Sequence, residues 1–126
     1  MNRIYAILFL IFTATMIGCS HMQYRVYVYN GTPAKITEAK VTLSNGEALT
    51  FGTMDPAVNK GMWPVIGPLG RESLVEWRDA EEETKSAKVD VTCGFNDDSV
   101  IFLINSNDTV TVETGRKLYG HKKSNR

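Results

Sequence analysis

The chain has 126 residues, enough for one domain, and its 14 Lys and Arg balance its 14 Asp and Glu. The balance hides an asymmetry, because residues 19–115 hold eight basic and fourteen acidic side chains, whereas residues 116–126 hold five basic and no acidic ones. An acidic body argues against a nucleic-acid-binding domain, which needs basic residues clustered on its folded surface.

The chain begins with a segment that has the order of an export signal. Arg3 gives a short basic start, an unbroken apolar run covers residues 4–12, and the run closes at Met16-Ile17-Gly18-Cys19. The stretch from Ile4 to Ile17 has fourteen residues, fewer than the roughly 20 that a membrane-spanning helix needs. We therefore predict an apolar signal helix over residues 1–18 that is removed on export.

The closing residues Met16-Ile17-Gly18-Cys19 resemble a bacterial lipobox, at which a lipoprotein signal peptidase cuts just before a lipidated cysteine. The resemblance implies that Cys19 carries the lipid and that residues 19–22 form a short spacer. Met16 departs from the Leu preferred at that position, and the alternative is an ordinary cleaved signal peptide. Because Ser20 is not the Asp of an inner-membrane retention signal, the resemblance favours a cell-envelope protein at the outer membrane, facing the periplasm.

The two cysteines of the chain are Cys19 and Cys93. A lipid on Cys19 leaves Cys93 without an intrachain partner, so this interpretation excludes a disulfide framework. Cys93 ends an alternating apolar pattern, which favours a buried thiol that acts as a small hydrophobe.

Strand patterns fill the body of the chain, and no amphipathic helix of useful length interrupts them. Asn45-Gly46 is a strong hairpin signal, because a tight hairpin turn needs positive φ angles. We predict an all-β fold over residues 23–115, an antiparallel β-sandwich of immunoglobulin-like architecture with Trp77 inward, followed by a basic disordered tail over residues 116–126. A small β-barrel is the alternative. The seven predicted strands are residues 23–30, 36–43, 48–54, 73–78, 86–93, 100–104 and 109–114.

Residues 55–70 contain three prolines and three glycines without periodicity, and predict a long irregular loop. Its large apolar side chains either plug the open end of the sandwich or form an exposed patch for a protein partner, centred on Trp63. Tyr27 and Tyr29, which share one face of the first strand, either extend such a surface or cover the sheet. The apolar residues of this candidate surface are Met62, Trp63, Val65, Ile66 and Leu69.

Few residues in the body suit catalysis, since His21 lies two residues from the predicted lipid site and His121 lies in the basic tail. We predict no enzymatic activity and no cofactor. Asp97, Asp98 and Asp108 lie in two predicted turns that could meet at one end of the sandwich and offer clustered oxygens to calcium. The simpler interpretation is that Asp is a good turn former.

The sequence therefore predicts a lipid-anchored envelope protein whose non-catalytic β-sandwich binds a protein partner, in the manner of an inhibitor or immunity protein. The alternatives are a calcium- or small-ligand-binding envelope module and a purely structural envelope lipoprotein. The basic tail is either a solubilising end or a contact for anionic lipid head groups. We expect no nucleic-acid partner.

Overall fold

The computed structural model describes residues 17–19, 22–94 and 96–116, and the described residues contain ten strands. Alternating burial along most strands shows the period-two pattern that the sequence predicts for half-buried sheet. The strands are β1 Ile17–Cys19, β2 Gln23–Asn30, β3 Ile36–Thr42, β4 Ala48–Met54, β5 Asn59–Ile66, β6 Leu69–Gly70, β7 Glu72–Arg78, β8 Thr84–Asp90, β9 Ser99–Ile104 and β10 Val110–Gly115.

Two four-stranded sheets pack face to face, with strand orders β10-β9-β2-β5 and β4-β3-β7-β8. The predicted β-sandwich is thus confirmed, and each of the seven predicted strands is present with ends shifted by three residues or fewer. No backbone ladder joins the two sheets among the described strands, so the barrel alternative does not apply. The pairing is not wholly antiparallel, because β2 and β9 are parallel neighbours.

The core lies between the sheets and is filled by one face of each central strand. Tyr24, Val26 and Val28 of β2 are fully buried, and they face Trp77 of β7, which is only 1% exposed. The side chain of Asn30 is also buried; its Nδ2 donates to the carbonyls of Ala34 at 2.9 Å and Met54 at 3.0 Å, which ties the end of β2 to the opposite sheet.

The prediction of one irregular loop over residues 55–70 is wrong, because this stretch forms β5 and the short β6. β5 pairs antiparallel with β2 at the edge of its sheet, and the register shifts by one extra residue opposite Arg25. Pro64 has no N–H to donate, and only an edge strand or a bulge tolerates such a residue. Bulge and proline together remove the alternation by which sequence patterns reveal strands.

The N-terminal end of the described chain also departs from expectation. Ile17 and Gly18, assigned by the sequence to the removable segment, lie in β1, which pairs antiparallel with β6. This pairing brings Cys19 to Cys93, with 5.1 Å between their Cα atoms, and the two form a disulfide bond. The prediction of an unpaired Cys93 is therefore wrong for this covalent state. The predicted signal helix otherwise lies outside the described residues.

The topology places both ends of the body at one end of the sandwich. β2 begins there at Gln23, β9 begins there at Ser99, and β10 ends there because Gly115 pairs with Ser99. β5 ends there at Ile66, opposite Gln23. We call this the terminal end. The opposite, or far, end holds the turns at residues 31–35, 55–58, 79–83 and 105–109.

Candidate binding surface

The structure divides the apolar residues of the predicted candidate surface into two groups. Val65 and Leu69 are each 3% exposed and belong to the core, and Met62 is partly buried against it. Trp63 and Ile66 are 50% and 56% exposed on the edge strand β5. The stretch is thus part core and part exposed surface, since an edge strand turns some side chains to the core and others to solvent.

Met22, Trp63 and Ile66 are the exposed large apolar side chains of the described chain, and we call them the apolar patch. Backbone pairing sets their positions, because Ile66 is opposite Gln23 and the Gly67 N–H donates to the Met22 carbonyl at 2.7 Å. The Arg25 guanidinium lies 4.4 Å from the centre of the Trp63 ring, which is a cation–π contact. The patch therefore lies at the terminal end, beside the start of β2.

Tyr27 and Tyr29 lie half-buried on the outer face of the same sheet, farther along β2. The ring of Tyr27 covers Gly61 on β5: a Cβ added at that glycine would lie 2.6 Å from two ring carbons. On the other side, Tyr27 is opposite Ile101 and Tyr29 is opposite Leu103 of β9.

Ile101 and Leu103 are buried although they are absent from the cluster between the sheets. Strand alternation places them on the outer face, because Val100, Phe102 and Ile104 point into the core. The apolar run of β9 predicts a strand buried on both faces, and its burial confirms this. We call Tyr27, Tyr29, Ile101 and Leu103 the tyrosine face.

The outer face of the opposite sheet has a different character. The Nε of Arg78 lies 2.8 Å from a carboxylate oxygen of Glu38, and Lys40 lies 3.6 Å from Glu76. These side chains line a shallow depression of about 360 Å³. Exposed ion pairs of this kind contribute little to stability and keep a face solvated. One sandwich face is therefore aromatic and apolar, and the other is charged.

The three aspartates of the predicted calcium site do not come together. Asp98 immediately precedes β9 and Asp108 follows it, and a six-residue strand separates its two ends by about 20 Å. The expectation that the two turns meet is therefore wrong, and no group of three metal-ligating side chains is found among the described residues. Asp97 instead accepts a hydrogen bond from the Gly94 N–H, which is the turn-forming role of such residues.

Asp108 belongs to an ion-pair cluster at the far end. The Lys85 Nζ lies 3.2 Å from Glu83, 3.3 Å from Asp108 and 3.8 Å from Asp79. Hydrogen bonds to Glu83 and Asp108, and then the charges of these two carboxylates, raise the pKa of Lys85 above its ordinary value. This cluster joins the β7–β8 turn of one sheet to the β9–β10 turn of the other.

Sequence patterns alone missed several residues of the surface. The sequence assigns no binding role to Met22, which falls in the predicted spacer, or to Arg25, which falls on a predicted strand. Only the register of β5 brings both residues near Trp63. Gly61 lies in the predicted loop, and only its place in β5 gives it meaning, since a glycine inside a strand often marks a close approach. The two histidines, His21 and His121, lie outside the described residues. No helix among the described residues has the length and hydropathy of a membrane span.

Comparison with known proteins gives information on the fold alone. No protein-family model matches the chain, and no curated protein matches it. A solved structure with a similar fold is the NMR structure of a protein from Eubacterium rectale, at 16% sequence identity and a TM-score of 0.56. The similarity covers 78% of this chain and 93% of that one, so the sandwich as a whole has a counterpart.

Proposed function

We propose that the protein is anchored by lipid in the cell envelope, at the outer membrane facing the periplasm, and that its sandwich binds a protein partner without catalysis. The observation that carries the proposal is the contrast between the two outer faces. One face holds solvated ion pairs, whereas the other holds Tyr27 and Tyr29 over outward-pointing apolar side chains of β9.

Tyrosine suits the centre of a binding surface, because it combines a large apolar ring with a polar hydroxyl and has few rotatable bonds. The tyrosine face lies on the side of the sandwich, so a partner can reach it while the terminal end faces a membrane. An inhibitor or immunity-type protein works in this manner, by covering part of another protein. The acidic body favours a partner whose contact surface is basic.

The anchor requires a change at Cys19. One sulfur atom cannot hold both a lipid thioether and a disulfide, and in the structure the Cys19 sulfur is bonded to Cys93. Cys19 is also only 2% exposed, so a lipidated Cys19 must leave its place beside Leu69 and Cys93. Lipidation therefore leaves Cys93 as a free thiol, and each covalent state has its own signature.

Intact-mass spectrometry of the protein extracted from bacterial membranes tests the anchor. The expected product starts at Cys19, carries the mass of acyl chains, and contains one thiol that reacts with maleimide at Cys93. The matched control is Cys19→Ser, which should give no acylated product. A chain that retains residues 1–18 and has no reactive thiol would reject the lipid and leave the disulfide form as the protein in the cell.

Site-specific photo-crosslinking tests the partner. A benzophenone amino acid in place of Tyr29 should give a discrete protein adduct in intact cells. The matched control position is Thr50, an exposed residue beside the ion pairs of the opposite face. Equal adducts at both positions, or none at either, would contradict a partner site on the tyrosine face.

Two finer assignments stay proposals. The strand order defines a sandwich, and the immunoglobulin-like relationship is retained from the sequence pattern alone. A purely structural envelope lipoprotein is the second candidate, and it predicts no adduct at position 29.

A further inference from the structure

We infer that the terminal end of the sandwich is seated on an anionic bilayer surface, with the apolar patch in the head-group region and the charge of the basic tail adding to the attraction. The inference rests on the membrane tether of the proposed function. It adds a surface of contact, so the domain lies on the membrane in one orientation instead of hanging from a flexible anchor.

The first argument is the distance between the patch and the tether. Met22 follows Cys19 by three residues, which span at most about 10 Å. The Gly67 N–H donates to the Met22 carbonyl at 2.7 Å, which holds the neighbouring Ile66 close to Met22. Attachment through a lipid on Cys19 or through the apolar run of residues 4–17 thus brings Met22 and Ile66 to the membrane surface.

The second argument is the chemistry of the patch. Met22, Trp63 and Ile66 are at least half exposed, which is costly in water and favourable in the interfacial region of a bilayer. Tryptophan is enriched at that depth, and arginine buries its stem there while its guanidinium remains with the head groups. The contact between Arg25 and Trp63 already holds these two groups together at 4.4 Å.

The third argument is the distribution of charge. β10 ends at the terminal end, so residues 116–126, with five basic and no acidic side chains, leave the body there. The terminal end of the body also carries the carboxylates of Glu47, Glu72, Asp90, Asp97 and Asp98, nearly as many as the far-end turns, so the five basic residues of the tail make the difference in charge between the two ends. An anionic surface therefore attracts the terminal end and repels the far end. The acidic residues of the far-end turns are Asp55, Asp79, Glu81, Glu82, Glu83 and Asp108.

Tryptophan fluorescence tests the orientation, because the chain has two tryptophans in opposite environments. Trp63 is 50% exposed in the patch and Trp77 is 1% exposed in the core. The full chain is reconstituted into vesicles of phosphatidylethanolamine and phosphatidylglycerol with brominated acyl chains, which quench only nearby indoles. We expect quenching of the wild type and none of Trp63→Phe, in which Trp77 alone emits.

Flotation of the same vesicles separates the possible failures. Protein that floats but is quenched no more than Trp63→Phe would overturn the seated orientation and leave the tether intact. Protein that does not float would reject the tether and the inference with it. A discrete protein adduct from a benzophenone at position 63 in cells would assign the patch to a protein instead of the bilayer.

A second variant tests the basic tail. The triple substitution Lys117→Gln, Lys122→Gln and Lys123→Gln leaves the sandwich unchanged and removes most of the tail charge. We expect weaker quenching of Trp63 than in the wild type, and a smaller loss of quenching on addition of salt. Quenching equal to that of the wild type at low ionic strength would remove the tail from the contact.

Discussion

Trp63 and Trp77 both lie on strands but have very different environments. Trp77, between Glu76 and Arg78, is 1% exposed in the core, whereas Trp63, between Met62 and Pro64, is 50% exposed on an edge strand. The two environments differ because Trp77 lies on the inner face of a central strand. The sequence predicts Trp77 as core from its alternation, and leaves Trp63 open because its stretch has none.

Substitution of the two tryptophans should therefore have unequal effects. Trp77→Ala should lower the free energy of unfolding by about 3–5 kcal/mol, because it opens a cavity between the sheets. Trp63→Ala should change it by about 1 kcal/mol or less, since half of the ring is already in solvent. Urea denaturation of both variants measures the difference. A large loss for Trp63→Ala would place Trp63 in the core and remove the apolar patch.

Lys85 makes the stability of the fold depend on pH in the alkaline range. Its pKa is raised in the folded state by Glu83 and Asp108, so folding holds the proton more tightly than the unfolded chain does. The resulting stabilisation is complete below the ordinary pKa of 10.5 and is lost as pH rises through the higher folded value.

Thermal unfolding measured between neutral pH and pH 11 tests this sign. The wild type should lose more stability above about pH 10 than Lys85→Met, which has no proton to release. Lys88→Met, on the same strand, is the matched control and should follow the wild type. Parallel curves for the wild type and Lys85→Met would show that the cluster contributes no measurable coupling.

At the scale of elements, the strands that the sequence predicts are those whose environment is uniform along their length. One face packs against the core in each of the strands β2, β3, β7 and β9. Burial of that face requires apolar residues at every second position, and this pattern is visible in the sequence. Sequence patterns do not predict β5, because Gly61 accommodates a tyrosine of the neighbouring strand and Pro64 occupies a bulge. The parallel pairing of β2 with β9 is not predicted either, since it depends on contacts between residues 74 apart in sequence, such as Arg25 and Ser99.

The contact between Gly61 and Tyr27 offers a test of the β5 register. Gly61→Ala should destabilise the domain by about 1–3 kcal/mol, because the new Cβ meets the tyrosine ring at 2.6 Å and the ring must move. In a Tyr27→Ala background the same substitution should cost almost nothing. A double-mutant cycle by chemical denaturation measures this coupling, and additive effects would mean that β5 is not paired in this register.

At the scale of the whole molecule, the fate of Cys19 sets the stability of the fold. The disulfide closes a loop with a sequence separation of 74, which in the chain-entropy model stabilises the folded state by about 4–5 kcal/mol. The lipidation that we propose for Cys19 would remove that contribution and replace it with a tether. The lipobox resemblance predicted the tether but not this cost, because the pairing of β1 with β6 is not visible in the sequence.

Cys93→Ser separates the two covalent states. It should lower the melting temperature of the disulfide-bonded full chain, since the loop is no longer closed in the unfolded state. It should leave the melting temperature of the lipid-bearing mature form nearly unchanged. Calorimetry with and without a reducing agent gives the comparison. A reductant effect on the membrane-extracted mature form would contradict a free Cys93 in that state.

The edge position of β5 has a further consequence if the proposed membrane tether holds. Tethered copies would diffuse in two dimensions with their sheet edges at the same height, which would favour pairing between edges. The bulge opposite Arg25 twists the edge, and Pro64 removes a donor from the row that another strand would need. The same irregular stretch that hides β5 from sequence analysis should thus keep crowded neighbours from joining their sheets into one.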